Sequence, residues 1–162
     1  MQTISQNATV GIVGAGAMGR GIAQVAATAG HTVLLYDTYA DALEDANEFL
    51  NYIVNRQVEK ERMSQEEVDA ILGRIHFEED MTNFGDCELV IEAIIEDLDA
   101  KTDTFARIEG IVPRDCIIAS NTSSLSIASL SSALKKPQRM MGIHFFNPAP
   151  LMPLVEIVPA IV

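Results

Sequence analysis

Six residues, Gly14-Ala15-Gly16-Ala17-Met18-Gly19, constrain this chain more than any others. A G-x-G-x-x-G run alone is a common glycine-rich turn, and its meaning depends on its flanks. Before it, Thr9-Val10-Gly11-Ile12-Val13 is a short β-branched run that reads as a buried strand. After it, Met18, Ile22, Val25, Ala26 and Ala29 fall at helical spacing, and Gly30 stands where that helix can end. Thr32-Val33-Leu34-Leu35-Tyr36 is a second apolar strand and stops at Asp37. Strand, glycine turn, helix, strand is the opening of a βαβ unit, which commits the chain to a parallel sheet.

The rest continues the alternation. Residues 39–60 predict a long helix with Leu43, Ala46, Phe49, Leu50, Ile53 and Val54 on one stripe. Residues 64–72 predict a second, opened by a Ser64/Glu67 capping box. The pair holds more helix than a simple crossover needs and reads as a projecting arm. Further strands are expected at 74–77 (weak), 89–94 (strong), 116–120, 139–145 and 154–158, with helices over 97–111 and near 127–134. The expected fold is α/β and Rossmann-type: a doubly wound, mainly parallel sheet with helices on both faces. The chain's 162 residues suit one domain, 1–162, with a full core.

The glycines have a chemical reading as well. The first permits the tight turn, the second lets a pyrophosphate approach the backbone, and the third lets helix pack on strand. Ala17 and Met18 begin the helix, whose free N–H groups and positive dipole end suit phosphates. Asp37, about 20 residues on, is placed to bond the adenosine ribose hydroxyls, and its charge would repel a 2′-phosphate. NAD is therefore favoured over NADP. The plainer alternative is that Asp37 only caps the next helix.

Composition narrows the partners. A net charge of −12 argues against nucleic acid, which needs a basic surface, and leaves anionic ligands to be held by local donors. The polar start, Met1 to Asn7, is unlike a signal peptide, and the apolar run from Met140 to Val162 is broken by His144, Asn147, Glu156 and four prolines, unlike a membrane span. A cytoplasmic location is expected. Cys87 and Cys116 read as reduced buried thiols, and neither has metal-ligand spacing.

In its longer motifs the chain resembles the 3-hydroxyacyl-CoA dehydrogenases. The resemblance runs through Gly14 to Gln24, Ile91-Glu92-Ala93-Ile94-Ile95-Glu96 with Lys101, Ser120-Asn121-Thr122-Ser123-Ser124-Leu125, and Gly142-Ile143-His144-Phe145-Phe146-Asn147-Pro148 on to Ile157. It implies oxidation of the 3-hydroxyl of an L-3-hydroxyacyl-CoA to a ketone, with hydride passing to NAD. Such chemistry wants a base with a pKa near neutrality, and His144, at the end of an apolar strand, suits it. Without the resemblance His144 would more simply be a core histidine. The resemblance also implies that Glu156 pairs with His144, that Ser123 bonds the substrate oxygen, and that Glu96, Lys101 and Asn147 line the NAD site. The plainer readings are a strand-edge charge for Glu156, a helix N-cap for Ser123, a solvated helix charge for Lys101 and a turn residue for Asn147. His31 and His76 read as structural. For the CoA phosphates the sequence offers Arg56 and Lys60, on the long helical arm.

The family carries a helical domain beyond the nucleotide-binding one, with another catalytic asparagine and most of a homodimer interface. The expectation is that this chain stops before it, binds NAD and turns over little or nothing by itself. Two alternatives remain: a dehydrogenase of a free hydroxy acid or sugar acid, and a non-catalytic NAD-binding or assembly module in which His144 and Glu156 are vestigial.

Overall fold

A computed structural model describes residues 4–160. Met1–Thr3 and Ile161–Val162, the extremities of the polar start and of the apolar tail, lie outside the described residues. The first half runs β1 (Thr9–Val13), α1 (Ala17–Thr28), β2 (Thr32–Tyr36), α2 (Ala40–Glu59), α3 (Gln65–Gly73) and β3 (Ile75–Glu78). The second runs β4 (Leu89–Glu92), α4 (Leu98–Ile111), β5 (Ile117–Ser120), α5 (Ile127–Ser131), β6 (Met140–Phe145) and β7 (Val155–Pro159).

The strands form one sheet in the order β3-β2-β1-β4-β5-β6-β7. β1 to β6 are parallel and β7 is antiparallel to β6. The chain thus winds outward from β1 to one side, then returns to lay β4 against β1's other edge. That reversal opens a crevice above the carboxyl ends of β1 and β4, where open α/β sheets bind ligands.

The central strands feed two cores by their period of two. Ile12 and Leu35 face a cluster with Ile22 and Ala23 of α1, Leu43, Leu50 and Val54 of α2, and Val68 and Ile71 of α3. Val13 and Tyr36 face the other, with Phe84, Phe105, Ile108 and Leu130. Burying one such aliphatic side chain contributes ~1.5–3 kcal/mol, so these layers hold the helices against the sheet. α1 stops as its glycine signal implies: Gly30 takes φ +101°, and the N–H groups of Gly30 and His31 donate to the carbonyls of Ala27 and Ala26. α2, about 30 Å long at 1.5 Å per residue, outruns the five-residue strand beside it. α3, opened by the reciprocal Ser64/Glu67 box, folds back along it.

Two features differ from the sequence expectation, and a third details the mainly parallel sheet it named. A 3₁₀ helix, Met81–Asp86, fills the β3–β4 connection and carries the buried Met81 and Phe84 into the second core. β4 ends at Glu92, two residues early, because Ile94 N–H turns to donate to the Glu92 carboxylate. Finally, β7 runs antiparallel. Its link to β6, residues 146–154, is shorter than the dozen or more residues a parallel crossover needs, so the chain can only turn back. Every residue of β7 is exposed, Ile157 and Val158 included. Cys87 and Cys116 are free and buried, and burial pushes each thiol up to about 12. Among the described residues no helix is long and apolar enough to cross a membrane.

Candidate active site

The glycine turn joins β1 to α1 at the crevice. Gly14 has φ +106°, and a Cβ there would lie 2.6 Å from the Ala93 carbonyl oxygen. A Cβ on Gly19 would lie 1.7 Å from the Gly14 carbonyl oxygen, so the helix could not pack down onto the turn. Gly16 is different: its φ is −64°, and a Cβ would meet nothing within 4 Å. The space it leaves is outside the protein, at the N-terminus of α1, which has no side-chain cap and no acidic residue in its first turn. These free N–H groups fit a dinucleotide pyrophosphate.

Asp37 directly follows the end of β2. Its Oδ2 accepts from Ala15 N at 2.8 Å and its Oδ1 from Tyr39 N at 3.0 Å, so it braces both the glycine turn and the start of α2. Each carboxylate oxygen keeps a further lone pair, so bracing the backbone leaves Asp37 able to accept from a ligand hydroxyl. Beside it a cleft of about 490 Å³ is lined by Gly14, Gly16, Asp37, Tyr39, Ile94 and Arg107, among others. A second cleft, about 320 Å³, shares Ala93 and Ile94 with the first and adds Met18, Glu96, Lys101, Asn121, Phe146 and Asn147. A third, about 390 Å³, shares Ser123 and His144 with the second and adds Gly142, Glu156 and Val158. The three make one trough, from Asp37 past the α1 N-terminus to His144.

His144 reaches it because β6 and β7 pair in the register His144↔Glu156. His144 Nδ1 lies 2.9 Å from Glu156 Oε2, leaving Nε2 for another partner. The imidazole is 20 % exposed and the carboxylate 54 %, and the Phe146 ring lies against the imidazole with centroids 4.6 Å apart. Glu156 is thus more than an edge charge.

Beneath Ser123 lies a network that ties β4, α4 and β5 together. Glu92 is fully buried at the end of β4. Its carboxylate accepts from Lys101 Nζ at 2.6 Å, Ile94 N at 2.7 Å and Ser120 Oγ at 2.7 Å. Lys101, 1 % exposed, also pairs with Glu96 at 3.3 Å. Glu96 Oε1 accepts from Thr122 Oγ1, from the backbone N–H groups of Ser123 and Ser124, and from Ser124 Oγ. Burial pushes the Glu96 carboxyl upward, but the Thr122 bond, the Lys101 charge and the Ser124 bond outweigh it and hold it down at about 2.

Two of the plainer readings fail here. Lys101 is not a solvated charge, because α4 carries it inward onto Glu92. Ser123 does not cap α5, because Ser126 does, accepting from Ser129 N. Asn147 is exposed and lines the second cleft. Arg56 and Lys60 line none of the three clefts: Arg56 lies over the Tyr52 ring at 5.5 Å, and Lys60 caps the far end of α2. Sequence reasoning missed Glu92, Ser120, Thr122 and Asn121, whose Oδ1 accepts from Phe145 N at 2.9 Å. The available signal was Glu92 itself, a charge inside an otherwise apolar strand.

Sheet order, glycine turn and terminal acid together define a Rossmann-type dinucleotide-binding domain. A family model described as the NAD binding domain of 3-hydroxyacyl-CoA dehydrogenase matches residues 9–161. The chain belongs to the 3-hydroxyacyl-CoA dehydrogenase family, as its NAD-binding domain. It is 42 % identical over 148 residues to a probable 3-hydroxybutyryl-CoA dehydrogenase of Deinococcus radiodurans, covering 91 % of this chain and 53 % of that protein. To a 3-hydroxybutyryl-CoA dehydrogenase of Mycobacterium tuberculosis it is 44 % identical over 157 residues, covering 94 % and 54 %. The crystal structure of (S)-3-hydroxybutyryl-CoA dehydrogenase from Ralstonia eutropha superposes with a TM-score of 0.92 at 38 % identity, covering 96 % of this chain and 55 % of that one. The chain spans about half the length of the curated relatives it matches.

Proposed function

We propose that this domain serves the NAD-dependent oxidation of an L-3-hydroxyacyl-CoA to the 3-oxoacyl-CoA, within acyl-CoA or fatty-acid metabolism. The observation that carries the reading is the His144–Glu156 pair, 2.9 Å apart, at the junction of the second and third clefts with Ser123 beside it. NAD, when bound, supplies the hydride acceptor.

The chain's own residues do the rest. Gly16, Ala17 and Met18 offer the pyrophosphate backbone donors on a turn that Gly14 and Gly19 allow, and Asp37 takes the adenosine ribose. Glu96, Lys101 and Asn147 line the nicotinamide end. His144 Nε2 takes the proton of the 3-hydroxyl, while its Nδ1–H donates to Glu156, which holds the tautomer and stabilises the imidazolium. A positioned base of this kind contributes ~10²–10⁴ in rate. The Ser123 hydroxyl donates to the substrate oxygen as it becomes a carbonyl. Arg56 and Lys60 remain the cations proposed for the CoA phosphates, and a homodimer is proposed for the whole protein.

The test is ligand choice. NADH bound to the chain should change its fluorescence on adding acetoacetyl-CoA and not on adding acetoacetate. An equal response to the free acid would replace the acyl-CoA reading with a hydroxy-acid one.

A further inference from the structure

We propose that Glu92 is a positioning residue for Ser123, acting through two arms that meet on the 122–124 turn. In the first arm Glu92 Oε1 holds Lys101 Nζ at 2.6 Å, and Lys101 holds Glu96 at 3.3 Å. Glu96 Oε1 then gathers the N–H groups of Ser123 and Ser124 at 3.2 and 3.3 Å, together with the Thr122 and Ser124 hydroxyls. In the second, Glu92 Oε2 accepts from Ser120 Oγ at 2.7 Å, and Ser120 Oγ accepts in turn from Thr122 N at 3.2 Å. The turn therefore hangs from both oxygens of one fully buried carboxylate.

Stability does not account for this arrangement. A buried Glu–Lys pair is costly to desolvate, and well-packed apolar residues commonly do as well or better in its place. What it provides is direction. The turn lies beyond the end of β5 and before α5, so neither ladder nor helix fixes it. Both serines in it are exposed, and no apolar contact of theirs could hold the Ser123 hydroxyl at the mouth shared by the second and third clefts. A carboxylate that gathers several donors can, because charge-assisted bonds are the strong, directional ones. Glu92 itself lines none of the three clefts and reaches them only through Ser123 and the Lys101–Glu96 pair.

The test is site-resolved amide exchange on the full chain, with Glu92→Gln and the milder Ser120→Ala, which removes only the second arm. In both variants exchange at Ser123 and Ser124 should quicken by about tenfold, while the β1 amides stay within about twofold of the parent. The proposal is overturned if Ser123 and Ser124 exchange at the parent rate in both variants, or if Ser120→Ala quickens β1 as much as the turn. Should Glu92→Gln fail to fold, Ser120→Ala decides by the same comparison. Ser123's role rests on the functional reading above, so a second measurement follows the fluorescence response of bound NADH to acetoacetyl-CoA. In Ser120→Ala that response should need several-fold more ligand at unchanged NADH affinity, and an unchanged titration counts against the proposal. Absence of the response in the parent chain would overturn the acyl-CoA reading and leave the exchange result to judge Glu92.

Discussion

Replacing Asp37 by asparagine should convert a strict preference for NAD into a weak one, and the structure allows the size to be worked out. Asp37 braces Ala15 N and Tyr39 N and still has a lone pair on each oxygen for the ribose hydroxyls. A hydrogen bond to a charged group is worth about 1.5–3 kcal/mol and one to a neutral group about 0.5–1.5, so losing the charge costs about 1–1.5 kcal/mol and should weaken NAD by roughly fivefold to tenfold. NADP meets the opposite effect. Its 2′-phosphate carries about −1.5 to −2, and a unit pair at ~4 Å and an effective dielectric of ~20 interacts by about 4 kcal/mol. Half-burial of Asp37 cuts that to about 2–3 kcal/mol, since solvent screens the pair. The parent chain should thus bind NAD about 10³-fold tighter than NADP, and Asp37→Asn, which loses both effects, should shrink the ratio to less than about tenfold. The fold should lose only about 1–2 kcal/mol, because the amide oxygen still serves one of the two N–H donors. Calorimetric titration with both dinucleotides reads the ratio, and thermal melting confirms that the variant is folded. Parent constants within threefold of each other, or an unchanged ratio in a folded variant, would refute the reasoning.

Three further outcomes follow from the same geometry. Gly16→Ala should leave the melting temperature within about 1 °C, since its Cβ meets no protein atom, yet weaken NADH by about tenfold or more; Gly19→Ala, whose Cβ would strike the Gly14 carbonyl at 1.7 Å, should cost about 3 kcal/mol of stability instead. The thiols of Cys87 and Cys116, raised to about 12, should resist a disulfide reagent at pH 8 until urea unfolds the chain, and rapid labelling of the native protein would contradict their burial. Glu96, held at about 2 against an ordinary 4.5, contributes stability that is complete above pH 4.5 and is lost as pH falls toward 2. Glu96→Gln should therefore flatten the acid-induced loss across that window, and an identical slope in both proteins would show that its bonds do not persist in solution.

The nucleotide half of this protein was legible because its signals are local. Gly14 and Gly30 each set a backbone geometry at their own position, and the Ser64/Glu67 box closes within one turn. The grouping of His144, Glu156 and Ser123 depends on pairings distant in sequence. His144 and Glu156 meet only because β7 turns back on β6, a consequence of connection length that alternation of strands and helices does not reveal. Lys101 was ambiguous for the same reason: helical periodicity places it on a face of α4, and only the proximity of β4 and β5 shows Glu92 waiting there with Ser120. Resemblance bridged that gap for Ser123, His144 and Glu156, which the folded chain gathers at one trough.

His144 is proposed as the acid and base of a hydroxyacyl-CoA oxidoreductase. Single-turnover oxidation of NADH by acetoacetyl-CoA, followed at 340 nm with the chain in excess, tests it most directly. The account predicts slow transfer by the parent chain, at least about 10²-fold slower in His144→Gln, with NADH still bound by the variant. An undiminished rate in His144→Gln, or transfer to acetoacetate as fast as to its CoA ester, would contradict it.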